Sequence, residues 1–230
     1  MTKAAELAKM GEVLTNSQIG GRRNIVINGA MQVAQRGTQV TGLGAADGYH
    51  TLDRWNMEIG DASAGRFTMD QIADGPSGFA NCMKLDCTTA DASIAAGEFF
   101  ILRQSLEGQD VQQLKYGTSD AEKVTVSFYV KGNGNATYIC ELYDADNGRQ
   151  ISKTFSVTSS WNRITLTYDG DTTGAFDNDN GLSLYILIVV HSGTTYNSGT
   201  LSTTWTAQTS ANRAVGGSSF FSSTDNEFFI

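Results

Sequence analysis

Four carboxylates share one short stretch of this chain. Asp169, Asp171, Asp177 and Asp179 are separated by Gly, Thr, Ala, Phe and Asn. A hard cation such as calcium takes about six to eight oxygens, which carboxylates and backbone carbonyls of such a loop can supply together. The spacing Asp177-x-Asp179-x-Gly181 matches the opening of a calcium loop, although no bidentate Glu follows at the usual distance. Aspartates in turns also cap the backbone of their own loop and do nothing more. The stretch therefore reads either as a structural calcium site or as a set of turn caps.

Aromatic rings are the second group with a chemistry to offer. Tyr129 and Tyr143 point away from the main apolar faces of their strands, and Tyr196 and Trp205 sit in a polar stretch, His191–Ser219. Rings on a solvated surface stack on the apolar faces of pyranoses, so these four are the candidate glycan ligands. The competing reading has a second sheet or a neighbouring subunit covering them, with Leu201 and Trp205 pinning the polar stretch to the body. Tyr185 shares its face with Leu187 and Val189 and reads as covered.

Catalysis finds little support. His50 and His191 stand in no nucleophile or zinc motif, and no phosphate-binding loop, dinucleotide fingerprint or G-x-S-x-G is present. Asp53 with Glu58, or Glu141 with Asp144, would form a working acid pair only if burial perturbed them. The expectation is a protein that is not an enzyme. Cys82, Cys87 and Cys140 are odd in number and match no zinc spacing, so they read as free, buried thiols. A net charge of −8 argues against nucleic acid as a partner. No run of about 18 apolar residues occurs, which argues against membrane insertion. The N-terminus carries no signal pattern, so assembly in a cytoplasm, or release by lysis, is expected.

The elements that must position these groups are strands. Val124, Val126, Phe128 and Val130 alternate with Thr125, Ser127, Tyr129 and Lys131, a period of two with one dry face. Ala136–Tyr143 and Gln150–Val157 flank Asn147-Gly148, the strongest short hairpin signal. Trp161–Tyr168 follows. Leu182–Val190 is apolar on both faces, as a central covered strand is. Further strands are expected at Asn24–Ala34, Tyr49–Ile59, Gly65–Ile72, Phe79–Cys87 and Glu98–Leu106. A loop is expected at Gln39–Gly48 and a short helical turn at Gly108–Tyr116, with Val111 and Leu114 inward. Trp55 is expected in the core with an Asp53–Arg54 ion pair at the rim. Turn signals recur about every 8–12 residues without a linker, which indicates one all-β sandwich over 23–230. Before it, 1–22 reads as a helix and tether, with Ala4, Leu7, Met10 and Leu14 forming a narrow stripe. About 13 residues make a marginal helix alone. The stripe needs a partner, either the sandwich itself or copies of itself in a bundle. Glu227–Ile230 reads as a final strand cut short.

Two resemblances arise from these residues. The Asn28-Gly29 turn, a Trp some way on at Trp55, the strand Val124–Lys131, its following hairpin and Trp161-Asn162-Arg163-Ile164 resemble the galactose-binding-like carbohydrate-binding modules. This implies a jelly roll over roughly Asn24–Ile230. Many such modules hold a structural calcium through an acidic residue just after the first Asn-Gly, where this chain has Ala30, Met31 and Gln32. Arg23–Gly37, Asp53-Arg54-Trp55, Tyr138–Phe155 and Asp169–Asn180 resemble tail-fibre-type minor structural proteins of tailed bacteriophages, of the marine type. That resemblance implies a virion component, a homotrimer touching other virion proteins, with host-surface attachment through a glycan. The alternative is a purely architectural tail, collar or head-fibre protein without a glycan ligand.

Overall fold

The computed structural model describes Lys3, residues 24–61 and residues 63–230. The helical stripe Ala4, Leu7, Met10 and Leu14, and the boundary expected at 22–23, lie outside the described residues.

Twelve strands form two six-stranded antiparallel sheets. They are β1 Gln39–Leu43, β2 Asn56–Gly60, β3 Arg66–Ile72, β4 Cys82–Thr89, β5 Phe99–Glu107, β6 Val124–Gly132, β7 Ala136–Asp144, β8 Arg149–Val157, β9 Asn162–Tyr168, β10 Leu182–Ser192, β11 Thr206–Ala207 and β12 Glu227–Phe229. The first sheet runs β1-β3-β4-β12-β6-β9 and the second β11-β8-β7-β10-β5-β2. The chain passes back and forth between them, so the fold is a jelly-roll β-sandwich.

Alternation dictates the core. Val124, Val126 and Val130 of β6 are buried between the sheets while Thr125 and Ser127 face water. Strand β10 lies between β7 and β5. Its Leu184, Ile186, Ile188 and Val190 enter the main core. Leu187 and Val189 join a second cluster outside the sheet with Ile101, Ile139 and Ala214. The polar stretch after β10 covers that outer face, which is why β10 is apolar on both sides. The Tyr168 hydroxyl donates to the Cys140 carbonyl at 2.8 Å across the core. All three cysteines are free and buried. Burial pushes the thiols of Cys82 and Cys87 up to about 11 and that of Cys140 to about 12, which leaves them unreactive near neutrality.

Four expectations need correction. Asn24–Ala34 is not a strand. Asn28, at φ +57°, accepts from the amides of Gln32 and Val33 and donates to the carbonyls of Val33 and Asp53. Those side-chain bonds replace a ladder with a closed turn. Gln39–Leu43 is an edge strand rather than loop, and an irregularity between Val40 and Leu43 hides its period. The strand expected from Tyr49 begins only at Asn56. Trp55 is buried, but Asp53 pairs with Arg36 at 2.6 Å, not with Arg54, which sits at φ +71°. The helical turn forms as Gly108–Val111 followed by Gln112–Leu114, with Val111 fully buried and Leu114 half-buried.

Two buried polar groups make the fold acid-sensitive. His191 is 1% exposed, with Nδ1 2.8 Å from Ser219 Oγ and Nε2 3.2 Å from Glu98. Burial lowers its pKa below the ordinary 6.5, against the pull of Glu98. Asp91 accepts from the Ser63 hydroxyl and the Ser93 and Ala64 amides, which hold its carboxyl at about 2 rather than 3.8. Both groups bind protons more readily in the unfolded chain, so protonation favours unfolding. The contribution of these two groups to stability is expected to be level above pH 6.5, to fall as His191 is forced to charge below that value, and to fall again between pH 3.8 and about 2. Urea unfolding against pH reads this. A first inflection that persists in His191→Gln would assign it to another group.

Candidate functional site

The outer face of the first sheet gathers rings and cations. Alternation along β6 turns Tyr129 and Lys131 outward, and β12 and β9 add Phe229 and Arg163. The β3–β4 loop brings Asp74 and Phe79, and the turn before β9 brings Trp161. That loop is tight. A Cβ on Gly75 would lie 2.5 Å from the Phe79 carbonyl oxygen, so only glycine lets the turn fold back and present Phe79.

Phe79 is 42% exposed and its ring meets Tyr129 at 5.8 Å and 57°. The Lys131 ammonium lies 4.5 Å from the Phe229 ring centre and 5.2 Å from that of Trp161, and it pairs with Asp74. Lys84 stands 5.7 Å from the same Phe229 ring and pairs with Glu227. Partial burial works against the Lys84 charge, but Glu227 and Asp86 outweigh it and raise its pKa. The surface thus offers aromatic faces beside fixed cations and carboxylates, which suits a ligand with apolar patches and hydroxyls together. Beside Tyr129 and Phe79 opens a groove of about 590 Å³, lined also by Arg163, Asn81, Trp55 and Ile188.

Of the four rings expected to bind glycan, only Tyr129 lies here. Tyr143 stands on the outer face of the second sheet, stacked on Tyr185 at 6.1 Å and 22°. Arg213 covers Tyr143 at 5.7 Å and Arg103 covers Tyr185 at 4.8 Å. Tyr196 packs edge-on against Phe99 at 5.0 Å. Trp205 meets Tyr116 edge-on at 5.6 Å and donates from its indole to the Asp169 carbonyl at 2.7 Å. Trp205 and Tyr196 therefore hold the polar stretch to the body, and the four rings do not share a surface.

The four aspartates do not converge either. Asp169 pairs with Lys123 at 2.7 Å, and Asp171, nearly inaccessible, takes the Arg149 guanidinium. Asp179 Oδ1 accepts from the Gly181 amide at 2.7 Å, and the Asp177 amide donates to Asp146. Among the described residues no cluster of three or more ligand side chains forms that could hold a metal ion. The loop is closed by turn caps and two salt bridges. The carboxylate pairs are divided likewise: Glu58 serves Arg103 at 2.7 Å, Glu141 serves Arg213, and Asp144 caps Asn147.

Phe79 and Trp161 open the expected strands Phe79–Cys87 and Trp161–Tyr168, but β4 begins at Cys82 and β9 at Asn162, so both rings sit in turns, where strand periodicity has no hold. A signal existed: a large ring directly after Pro-Ser-Gly or Ser-Ser is apolar surface where polar residues are the rule.

No protein-family model matches the chain, and no curated protein matches it. Among solved structures it is similar to the enzymatically active domain of tailspike protein 4 of bacteriophage CBA120, at 12% identity and a TM-score of 0.44. That match covers 90% of this chain and 20% of the tailspike chain. It is similar to the carbohydrate-binding module TmCBM61 in complex with β-1,4-galactotriose, at 10% identity and a TM-score of 0.45, covering 90% of this chain and 93% of that one. It is similar too to a family 11 carbohydrate-binding module from Clostridium thermocellum, at 12% identity and a TM-score of 0.37, covering 68% of this chain and 88% of that one.

Proposed function

We propose that the protein is a glycan-binding module without catalytic activity, carried on a tailed-phage particle and turned toward the host surface. The observation that carries the reading is the ring pair of exposed Phe79 and half-buried Tyr129, beside Lys131, Trp161 and Arg163 on one sheet face. A pyranose lays its C–H face on such rings while its hydroxyls reach the Lys131–Asp74 pair and Arg163. The placement on a particle rests on the resemblance of Arg23–Gly37 and Asp169–Asn180 to tail-fibre-type proteins. In that setting three copies present three weak sites together, and linkage multiplies their effective affinity. Light scattering reads the mass of that trimer.

Purified chain is expected to bind bacterial surface polysaccharide saturably on an array. Phe79→Ala and Tyr129→Ala should each weaken binding about tenfold, the size of one lost ring contact (~1.4 kcal/mol). Tyr143→Ala should leave it within twofold. Equal binding by the Phe79 and Tyr129 variants would remove this face as the site. Release of reducing ends on long incubation would replace binding with hydrolysis. No binding by folded protein to any polysaccharide tested would leave the architectural role.

A further inference from the structure

Four Asn-Gly pairs occur in the chain, at Asn28-Gly29, Asn133-Gly134, Asn147-Gly148 and Asn180-Gly181. Such a pair can cyclise on itself. The glycine nitrogen, deprotonated, attacks the asparagine Cγ. A C–N bond forms, and the side-chain nitrogen takes a proton from water and leaves as ammonia. Water then opens the cyclic imide at one of its two carbonyls, which gives aspartate or isoaspartate. Glycine permits the attack because no side chain crowds its nitrogen. The step needs a free nucleophile, a side chain able to swing onto it and an unbonded leaving amine, so the fold decides which pair reacts.

Two of the asparagines are locked. Asn28 Oδ1 accepts from the Gln32 and Val33 amides, and its Nδ2 donates to the Val33 and Asp53 carbonyls. Asn147 Nδ2 donates to the Asp144 carboxylate and to the Ala175 carbonyl at 2.7 Å. At Asn180 it is the nucleophile that is engaged. The Gly181 amide donates to Asp179 Oδ1 at 2.7 Å, and that carboxylate disfavours the amide anion that must form.

Asn133-Gly134 lies exposed in the link between β6 and β7. Among the described residues, neither the Gly134 N–H nor Asn133 Nδ2 has a hydrogen-bond partner. A Cβ on Gly134 would find no atom within 4 Å, so the turn is open around the nucleophile. The bond that the Asn133 side chain does make is at Oδ1, which accepts from the Glu227 backbone N–H at 3.0 Å. That donor is aimed at the oxygen on which negative charge develops when Cγ is attacked, the placement that stabilises a tetrahedral intermediate. The fold thus hinders three of the pairs and assists the fourth.

We propose that Asn133 is a site of spontaneous covalent modification in the folded protein, converting to aspartate and isoaspartate while the other three pairs stay intact. Either product adds one negative charge beside the start of β12. The aspartate keeps an oxygen for the Glu227 N–H. In isoaspartate the backbone runs through the former side chain and the pendant carboxylate is shorter, so the Glu227 N–H loses its acceptor. Glu227 pairs with Lys84, and β12 carries Phe229 between Lys84 and Lys131, so the change falls at the edge of the ring-and-cation face. The inference needs no ligand and stands independently of the glycan reading.

The test incubates the full chain in mildly alkaline buffer, once folded and once in guanidinium chloride. Peptide mapping by mass spectrometry follows the amide-to-acid change at each Asn-Gly pair. In the unfolded chain the four should react at similar rates. In the folded chain Asn28 and Asn147 should slow about 100-fold, since each must first open locally. Asn180 should slow about tenfold. Asn133 should keep its unfolded rate or exceed it. Gly134→Val sets a β-branched side chain against the nucleophile and should slow conversion at Asn133 about tenfold, while the melting temperature holds because the space there is open. Asn133 staying intact in the folded chain while it converts in guanidinium chloride overturns the proposal. So does conversion at Asn28 or Asn147 as fast as at Asn133. Should Gly134→Val fail to fold, the folded and unfolded rates of the unaltered chain decide alone.

Discussion

Replacing Arg213 with methionine is expected to destabilise the protein by about 3–5 kcal/mol. Glu141 on β7 has a fully inaccessible side chain, and among the described residues its cationic cover is Arg213, whose Nε and Nη2 reach both carboxylate oxygens at 2.9–3.1 Å. Burial pushes the Glu141 carboxyl up, and the guanidinium opposes that push. Without Arg213 the carboxylate stays buried with no counter-charge. Its pKa in the folded state then lies well above its unfolded value, so ionisation favours unfolding. The penalty should be largest above the ordinary carboxylate value of 4.5 and should shrink as pH falls toward it. Removing both charges, as Arg213→Met with Glu141→Leu, should recover most of the loss. Urea midpoints at pH 7 and pH 4.5 for the single and double variants measure all three statements. A single-variant loss under 1 kcal/mol would mean that water reaches Glu141.

Phe221→Ala should cost a similar amount, about 3–5 kcal/mol. The Phe221 side chain is fully buried and stacks on Phe100 at 5.8 Å and 19°. It also meets Phe67, Phe220 and His191 with ring centres 5.1–6.0 Å away. Gly65 makes room for it, since a Cβ there would lie 2.4 Å from the ring. Phe221 thus ties the segment before β12 to β3 and β5. Truncation leaves a hole walled by four rings that cannot collapse into it. Phe221→Leu should lose about half as much. Equal losses for the two variants would mean that the site relaxes around whatever remains.

The legible part of the fold is the part where one period governs. Val124–Val130 alternates without interruption, and β6, the β7–β8 hairpin that follows it in the other sheet, and β9 lie where alternation and the Asn147-Gly148 turn put them. Leu182–Val190 announced its central place by being apolar on both faces. Where side chains bond backbone, periodicity failed. Asn24–Ala34 carries Ile25, Ile27, Met31 and Val33 in strand spacing, yet Asn28 captures its backbone and closes a turn. The site was less legible than the fold. Tyr129 could be placed because its strand could. Phe79 and Trp161 reach the same surface from turns whose paths depend on distant partners, and Tyr143 looks available in sequence because nothing local reveals Arg213 above it. The aspartates share a stretch of chain, but Lys123 and Arg149, remote in sequence, divide them.

The position of β12 bears on how the protein comes to be made. Phe228 bonds across to Leu85 on one side and faces Gly132 on the other, so three late residues join the two halves of the first sheet. During synthesis on a ribosome β4 and β6 emerge long before the strand that links them. Their facing edges stay available to any other nascent chain in the interval. Such late, long-range closure makes for slow folding and for intermediates that associate. Yield in the cell should therefore depend more on chaperone supply and growth temperature than on the stability of the finished sandwich.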